Sequence, residues 1–318
     1  MSGEVLRVAC VQLNTRDDVE ANARVAAELV DEAAAAGARL VALPETWLFK
    51  GHSDGIRASA EAPDGPHNSR LAELAARHDL YLLAGSIYEP AGADGRVFNT
   101  SALFGPDGGL VALYRKLHLF DVTAGEKVYR ESDDVVAGDA LVTADIAAGE
   151  LRGPAACEHH AAAGGAAASG PEAASPSRDM PGAAPPEPPA GHVRLGLTIC
   201  YDLRFPELYR SLALLGAQVL CVPSAFTAFT GAAHWEVLLR ARAIENGCFV
   251  LAPGQVGEHL PGRDCYGHTM IVDPWGAVLS VLHDGVGVCV ADLDLARLAD
   301  VRAQIPSLEN RRPDAYRA

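Results

Sequence analysis

The sequence predicts an α/β protein built on a mixed sheet, and two observations carry that reading. Apolar strand-like runs at 5–13, 39–43, 80–86, 97–104, 110–116, 193–199, 218–222, 248–252 and 266–273, closed by 277–282 and 287–291, are interleaved with Ala- and Leu-rich helical stretches. The helical stretches fall at roughly 19–36, 69–78, 207–215 and 234–246. The clusters Gly105-Pro106-Asp107-Gly108-Gly109 and Asp273-Pro274-Trp275-Gly276 each sit between two strand runs. Both read as hairpins, which brings antiparallel pairs into the sheet.

Taken in order, the first run follows Met1-Ser2-Gly3-Glu4, which has no basic region, and it is broken by Arg7. It is too short for a signal sequence or a membrane span, so the protein is expected to stay in the cytoplasm. The run 39–43 stops at Pro44 and then presents the carboxylate of Glu45; the run 110–115 ends at the ammonium of Lys116. The run 193–199 ends at Cys200, and Phe205-Pro206-Glu207 then opens a helix with Pro in its first turn and Gly216 at its stop. Between 147 and 192 the chain turns to Ala, Gly, Pro and Ser, which cannot bury enough surface to offset its ordering entropy. It reads as a disordered insertion inside one domain spanning 1–318, because strands at 141–146 and 193–199 make sense as sheet neighbours and a long loop adds little closure cost. Its Cys157-Glu158-His159-His160 lacks the separated ligand pairs of a structural zinc site and reads as solvated loop.

With 318 residues, 49% hydrophobic and 21% charged, the chain has the balance of a globular protein with a sizeable core. A formal net charge of -15 argues against nucleic-acid or anionic-membrane partners, which need basic patches. Of seven cysteines, Cys10, Cys200, Cys221, Cys248 and Cys289 lie in or at the end of apolar runs, a pattern of reduced thiols.

Functional groups of an α/β sheet gather at strand ends, so Glu45, Lys116 and Cys200 are candidates to converge. The strand-to-helix turn at Cys200 lifts its side chain from the sheet edge and aims backbone N–H groups at whatever it attacks. A nearby Lys stabilises a thiolate, a Glu can take the thiol proton, and the same Lys can hold an oxyanion. Each also has a plainer reading: Cys200 as a small buried hydrophobe, Glu45 and Lys116 as solvated charges, Glu131 as a loop carboxylate. No Gly-x-Ser-x-Gly elbow follows a strand and no Gly-x-Gly-x-x-Gly opens a helix after the first strand, which disfavours serine hydrolases and dinucleotide enzymes.

Leu43-Pro44-Glu45, Tyr114-Arg115-Lys116-Leu117-His118-Leu119-Phe120-Asp121 and Ile199-Cys200-Tyr201-Asp202-Leu203-Arg204-Phe205-Pro206-Glu207 resemble, in order and spacing, the three signature segments of the nitrilase superfamily of carbon-nitrogen hydrolases. The resemblance runs from Arg7 to about Tyr316, and the insertion departs from it in length and composition. It implies a four-layer α-β-β-α sandwich, with protomers joined through helices into a homodimer or larger homo-oligomer. It implies Glu45 as general base and later acid, Lys116 as oxyanion stabiliser, and Cys200 as nucleophile. Glu131 matches a further glutamate that holds the substrate or the lysine, and the backbone N–H of Tyr201 is a second oxyanion donor. The implied reaction takes a small-molecule carboxamide to a carboxylate and ammonia through a thioester, with no metal or organic cofactor.

Pro223-Ser224-Ala225-Phe226, the stretch 230–245, Gln255-Val256-Gly257-Glu258-His259, Tyr266-Gly267-His268 and Val272-Asp273-Pro274-Trp275-Gly276 resemble the branch holding deaminated glutathione amidase and omega-amidase, the former more closely. Omega-amidase action on α-ketoglutaramate, N-carbamoyl amino acid hydrolysis, a true nitrilase and a noncatalytic interaction protein on the same scaffold stand as alternatives. Trp235, Val237, Leu238, Leu239 and Ile244 partly share a helix face and read as core, with His234 capping or packing at the helix start. Arg240 and Arg242 lie on different faces, so at most one can meet a substrate carboxylate. Arg204 either pins the turn through a carboxylate or meets substrate.

Overall fold

In the computed structural model, which describes residues 5–92, 94–148 and 184–315, the apolar runs form two sheets whose inner faces share one aliphatic core. Among the described residues the first sheet orders Gly287–Asp294, Val5–Gln12, Leu40–Ala42, Tyr81–Leu83, Val97–Phe104 and Ile87–Pro90, with Leu110–Arg115 also paired to Val97–Phe104. The second orders Val278–Leu282, Thr269–Val272, Phe249–Ala252, Val219–Cys221, His192–Leu197 and Thr143–Ala147. Each sheet is parallel at its centre, through Val5–Gln12, Leu40–Ala42 and Tyr81–Leu83 in one and His192–Leu197, Val219–Cys221 and Phe249–Ala252 in the other. Antiparallel strands flank both trios. Central parallel strands are covered on both faces, which is why they read as unbroken apolar runs rather than alternating ones.

Helices supply the outer layers. Val19–Ala35 and Pro66–His78 pack on the first sheet, burying Ala26, Val30, Leu71 and Leu74 against Val11, Val41 and Leu82. Pro206–Leu214 and Ala228–Asn246 cover the second sheet, with Leu212, Trp235 and Leu239 in the shared core. The architecture is the α-β-β-α sandwich. Both predicted hairpins are present, at 97–115 and 269–282.

Several elements differ from expectation. The long helix starts at Ala228, with Thr227 as its cap, so His234 lies inside the helix rather than at its start. The helix expected from 69 starts at Pro66, where the missing N–H costs nothing. Two helices, Ser53–Ala58 and Leu295–Gln304, and two short hairpins, Asp121–Ala124 with Lys127–Arg130 and Val256–Leu260 with Arg263–Tyr266, carry no long apolar run to announce them. Ala147 and His192, assigned from sequence to the insertion, are instead paired opposite each other as the last and first residues of two antiparallel strands. The rest of that tract from 149 to 183, including the Cys157-Glu158-His159-His160 run, lies outside the described residues. Among the described residues no helix is long and apolar enough to cross a membrane.

Candidate active site

Leu40–Ala42 leaves the first sheet through Leu43 and Pro44, and the next residue is Glu45, 4% exposed. Its position is set by a tight crossing: Thr46 N donates to Ser86 Oγ at 2.9 Å and Trp47 N to the Ser86 carbonyl at 3.2 Å. Gly85, at φ +50°, permits that crossing, since a Cβ there would lie 2.0 Å from the Pro44 carbonyl oxygen. Lys116 follows Leu110–Arg115 directly, and its N–H donates to the Asn99 carbonyl at 2.9 Å. Cys200, 6% exposed, ends the run from the second sheet in a left-handed conformation at φ +49°. A non-glycine residue there is strained, and the surrounding contacts must hold it.

Asp202 supplies much of that hold. This fully buried carboxylate accepts from Ile199 N at 2.8 Å and Tyr114 Oη at 2.7 Å on one oxygen, and from His118 N at 3.0 Å and His118 Nδ1 at 2.7 Å on the other. The His118 ring in turn stacks on Phe205, centroids 3.6 Å apart. One carboxylate thus ties the Cys200 turn to the strand end that carries Lys116.

The charged groups converge. Lys116 Nζ donates to Glu45 Oε1 at 2.9 Å and to both oxygens of Glu131, at 3.0 and 2.9 Å. Asn99 Nδ2 also reaches Glu45 Oε1 at 2.9 Å, and Ala225 N donates to Glu45 Oε2 at 2.8 Å. Glu131 Oε2 takes the Phe120 N–H at 2.6 Å. Burial alone would raise the Glu45 carboxyl, but the ammonium charges of Lys116 and Lys50 outweigh it and hold the group below its usual range. Burial would likewise lower Lys116, yet the Glu131 and Glu45 charges keep its ammonium well above the ordinary value. Burial, then the charge of Glu45, push the Cys200 thiol well up, and Lys116 opposes them only in part. Two carboxylates already claim the ammonium, and the thiol beside Glu45 is harder to ionise than a free one.

This cluster opens on a cleft of about 870 Å³ lined by Glu45, Lys116, Glu131, Cys200, Tyr201 and Lys50, among others. The Tyr201 ring stands edge-on to Phe120 and Phe205, at 5.1 and 5.4 Å between centroids. Arg204 does not line the cleft; its guanidinium lies 5.1 Å from the Phe226 ring centre and reaches His234 Nδ1 at 3.2 Å, so it meets aromatic and imidazole rings rather than a carboxylate. Arg242 donates to the Leu203 carbonyl, bracing the turn from behind, and Arg240 donates to the Gly276 carbonyl and to Glu236. Neither lines the cleft. Asn99, the Ala225 N–H, Lys50, and the Asp202–His118 pair escaped the sequence reading. Asn99 carried a signal, since Asn99-Thr100-Ser101 is a polar triplet inside a buried strand, where polar groups need partners.

Comparison with known proteins adds four findings. Residues 7–303 match the sequence model of the carbon-nitrogen hydrolase family. The chain is 39% identical over 309 residues, covering 95% of its own length and 97% of the relative's, to a deaminated glutathione amidase of Synechocystis sp.. Among solved structures, the NitFhit protein of Caenorhabditis elegans superposes with a TM-score of 0.79 at 35% identity, over 100% of this chain and 67% of that one. A glutamate-to-glutamine variant of the amidase from Nesterenkonia sp. AN1, carrying the acetamide moiety of fluoroacetamide on its active-site cysteine, superposes with a TM-score of 0.70 at 25% identity, over 99% and 96%.

Proposed function

The chain belongs to the carbon-nitrogen hydrolase family and is a hydrolase of carbon–nitrogen bonds other than peptide bonds; from that premise we propose that it hydrolyses deaminated glutathione, with Cys200 as nucleophile, Glu45 as general base and acid, and Lys116 as oxyanion stabiliser. The observation that carries the reading is the buried Glu45–Lys116–Glu131 cluster facing the Cys200 thiol at the floor of a cleft. Glu45 takes the thiol proton as sulfur bonds to the amide carbon, and Lys116 Nζ and the Tyr201 N–H receive the oxyanion. Glu45 returns the proton to the departing nitrogen, the C–N bond breaks, and a thioester remains. Glu45 then deprotonates a water that attacks the thioester, freeing the carboxylate and restoring the thiol. The Nesterenkonia structure supports the role of Cys200 as nucleophile, because there it is the active-site cysteine that bears the covalent adduct.

The substrate assignment rests on the relatives named above and on the cleft, whose volume lies toward the upper end of the roughly 300–1,000 Å³ typical of ligand pockets and suits a tripeptide-sized molecule. The departing nitrogen is then the amine of cysteinylglycine, whereas α-ketoglutaramate would release ammonia; 2-oxoglutarate is the product of both. Measuring 2-oxoglutarate release from each substrate, with wild type and Cys200→Ala side by side, tests the proposal. Cysteine-dependent turnover that prefers deaminated glutathione supports it, and preference for α-ketoglutaramate moves the protein to omega-amidase. Activity confined to N-carbamoyl amino acids overturns both.

We read the chain as one domain, with 149–183 as an insertion, and as a cytoplasmic protein; the six cysteines among the described residues, all free and buried, support a reducing compartment. A homodimer is supported by the exposed Phe229, Val237 and Ile244 on one face of Ala228–Asn246, beside exposed Trp275. Light scattering of wild type against Val237→Lys checks it: a monomeric wild type excludes the dimer.

A further inference from the structure

Lys50 ends the segment that begins at Glu45, anchored by its N–H to the Arg16 carbonyl at 3.0 Å. Its side chain is half-buried and lines the same cleft as Glu45 and Cys200. The cationic side chains around it are differently placed. Lys116 is held by two carboxylates, Arg57 pairs with Asp134 at 2.9 Å, Arg263 lies 5.2 Å from the centre of the Tyr129 ring, and Arg130, which also lines the cleft, is exposed to solvent rather than half-buried. Among the described residues Lys50 has no ion-pair or side-chain hydrogen-bond partner. His259 cannot share its task as a second cation, since burial and the Lys50 charge push the imidazole down to about 3, leaving it neutral.

The surroundings make this ammonium conspicuous. Glu45, Glu131 and Lys116 sum to one negative charge, and the whole chain carries -15. An anionic substrate approaching Cys200 meets repulsion from both unless a free cation stands near the reacting carbon. A half-desolvated ammonium without a partner is costly, and a ligand carboxylate is the group that would relieve it.

We propose that Lys50 is the counter-ion for a substrate carboxylate, so that the cleft selects anionic amides over neutral ones. This rests on the amidase reading above and deepens it, since it assigns charge selection to a residue outside the Glu45, Lys116 and Cys200 set. A carboxyl group a short chain away from the scissile amide, as in an ω-amide of a dicarboxylic acid, is the chemistry that fits.

The test compares wild type, Lys50→Met and Lys50→Arg at pH 8 on α-ketoglutaramate, which is anionic, and butyramide, which is neutral. The ratio of kcat/KM for the anionic to the neutral amide should fall about 10- to 100-fold in Lys50→Met, the scale of a lost charge-assisted hydrogen bond, and recover substantially in Lys50→Arg. Working on the ratio removes the general effect of losing the Lys50 charge beside Glu45, which acts on both substrates alike. A parallel loss on both amides, or an unchanged ratio, overturns the proposal. Calorimetric titration of 2-oxoglutarate into Cys200→Ala, with and without Lys50→Met, decides the matter independently of turnover. Weaker binding in the double variant supports the counter-ion, while equal binding, or none in either protein, overturns it. Failure of wild type to hydrolyse any amide would fault the activity assigned above and leave the calorimetric result to judge Lys50.

Discussion

Replacing Glu45 with Gln preserves shape, removes one charge, and separates two things the carboxylate does. Three donors point at it: Lys116 Nζ and Asn99 Nδ2 at Oε1, both at 2.9 Å, and Ala225 N at Oε2, 2.8 Å. A glutamine has one acceptor oxygen, so in either orientation its NH₂ faces a donor, and the site loses about 1–3 kcal/mol of hydrogen bonding. The fold should survive, because Lys116 keeps both bonds to Glu131. Loss of the general base should cost about 10²- to 10⁴-fold in kcat, or about 3–5 kcal/mol. Thiol ionisation should move the other way. The Glu45 charge is, after burial, the largest influence raising the Cys200 thiol, and Lys116 opposes it. With Glu45 neutral, Cys200 should ionise at lower pH and react with iodoacetamide at least as readily as in wild type. Turnover is read by 2-oxoglutarate release and alkylation by mass spectrometry across pH 6–10. Turnover within tenfold of wild type, or an alkylation midpoint displaced upward, would refute the reasoning.

Lys116→Met strands the buried Glu45 and the partly buried Glu131 without their cation and should cost about 3–5 kcal/mol in urea unfolding. In wild type the depressed Glu45 stabilises above the unfolded carboxylate value of about 4.3 and its contribution fades as pH falls through the folded value. Raised Lys116 stabilises below about 10.4 and fades as pH rises through its folded value, so the cluster contributes most between about pH 5 and 10. In Lys116→Met the sign at the acid end reverses, and lowering the pH toward 5 should recover stability; a variant as stable as wild type at pH 7 would contradict this. Asp202→Asn cannot accept all four donors and should lose about 3 kcal/mol together with most of kcat, measured by denaturation and steady-state kinetics; preserved activity would mean the clamp on the Cys200 turn is dispensable. Deleting 149–183 should leave melting temperature and kcat/KM within twofold or a few degrees of wild type, because Ala148 N already donates to the Gly191 carbonyl at 2.9 Å and 184–190 can close the hairpin. A collapse of either would show that the tract belongs to the working structure.

The strand ends at Glu45 and Cys200 were legible because central parallel strands announce themselves as solid apolar runs, and a carboxylate or a thiol at the end of such a run stands out; Lys116 instead ends an antiparallel strand of alternating burial, where an ammonium after an aliphatic run still stands out. Turn chemistry was legible for the same reason of contrast: Pro206 marks a helix start, and the Gly- and Asp-rich clusters mark hairpins. The rim of the cleft was not. Val256–Leu260, Arg263–Tyr266 and the 121–130 hairpin are short and mostly half-buried or exposed, so no periodic apolar pattern betrays them, yet they deliver Tyr129, His259 and Cys265 to the site. Asp202 was equally invisible in its role. Nothing in the string Cys200-Tyr201-Asp202 says that the carboxylate reaches 84 residues back to His118, a relation that exists only once both sheets are in place.

The two glutamates beside Lys116 divide their work by what else each touches. Glu131 gives both oxygens to the ammonium and one also to the Phe120 N–H, so its lone pairs are committed to holding the lysine in place and charged. Glu45 offers Lys116 a single oxygen, Oε1, and keeps Oε2, which carries the Ala225 N–H, while its carboxylate also interacts with the Cys200 thiol. A carboxylate with a spare lone pair facing a protonated thiol can take the proton as the sulfur–carbon bond forms, and its neighbour prevents the lysine from following that proton. Burial first, and then the Glu45 charge, make the Cys200 thiol harder to ionise, and the same carboxylate is the group placed to act as its base in the proposed reaction.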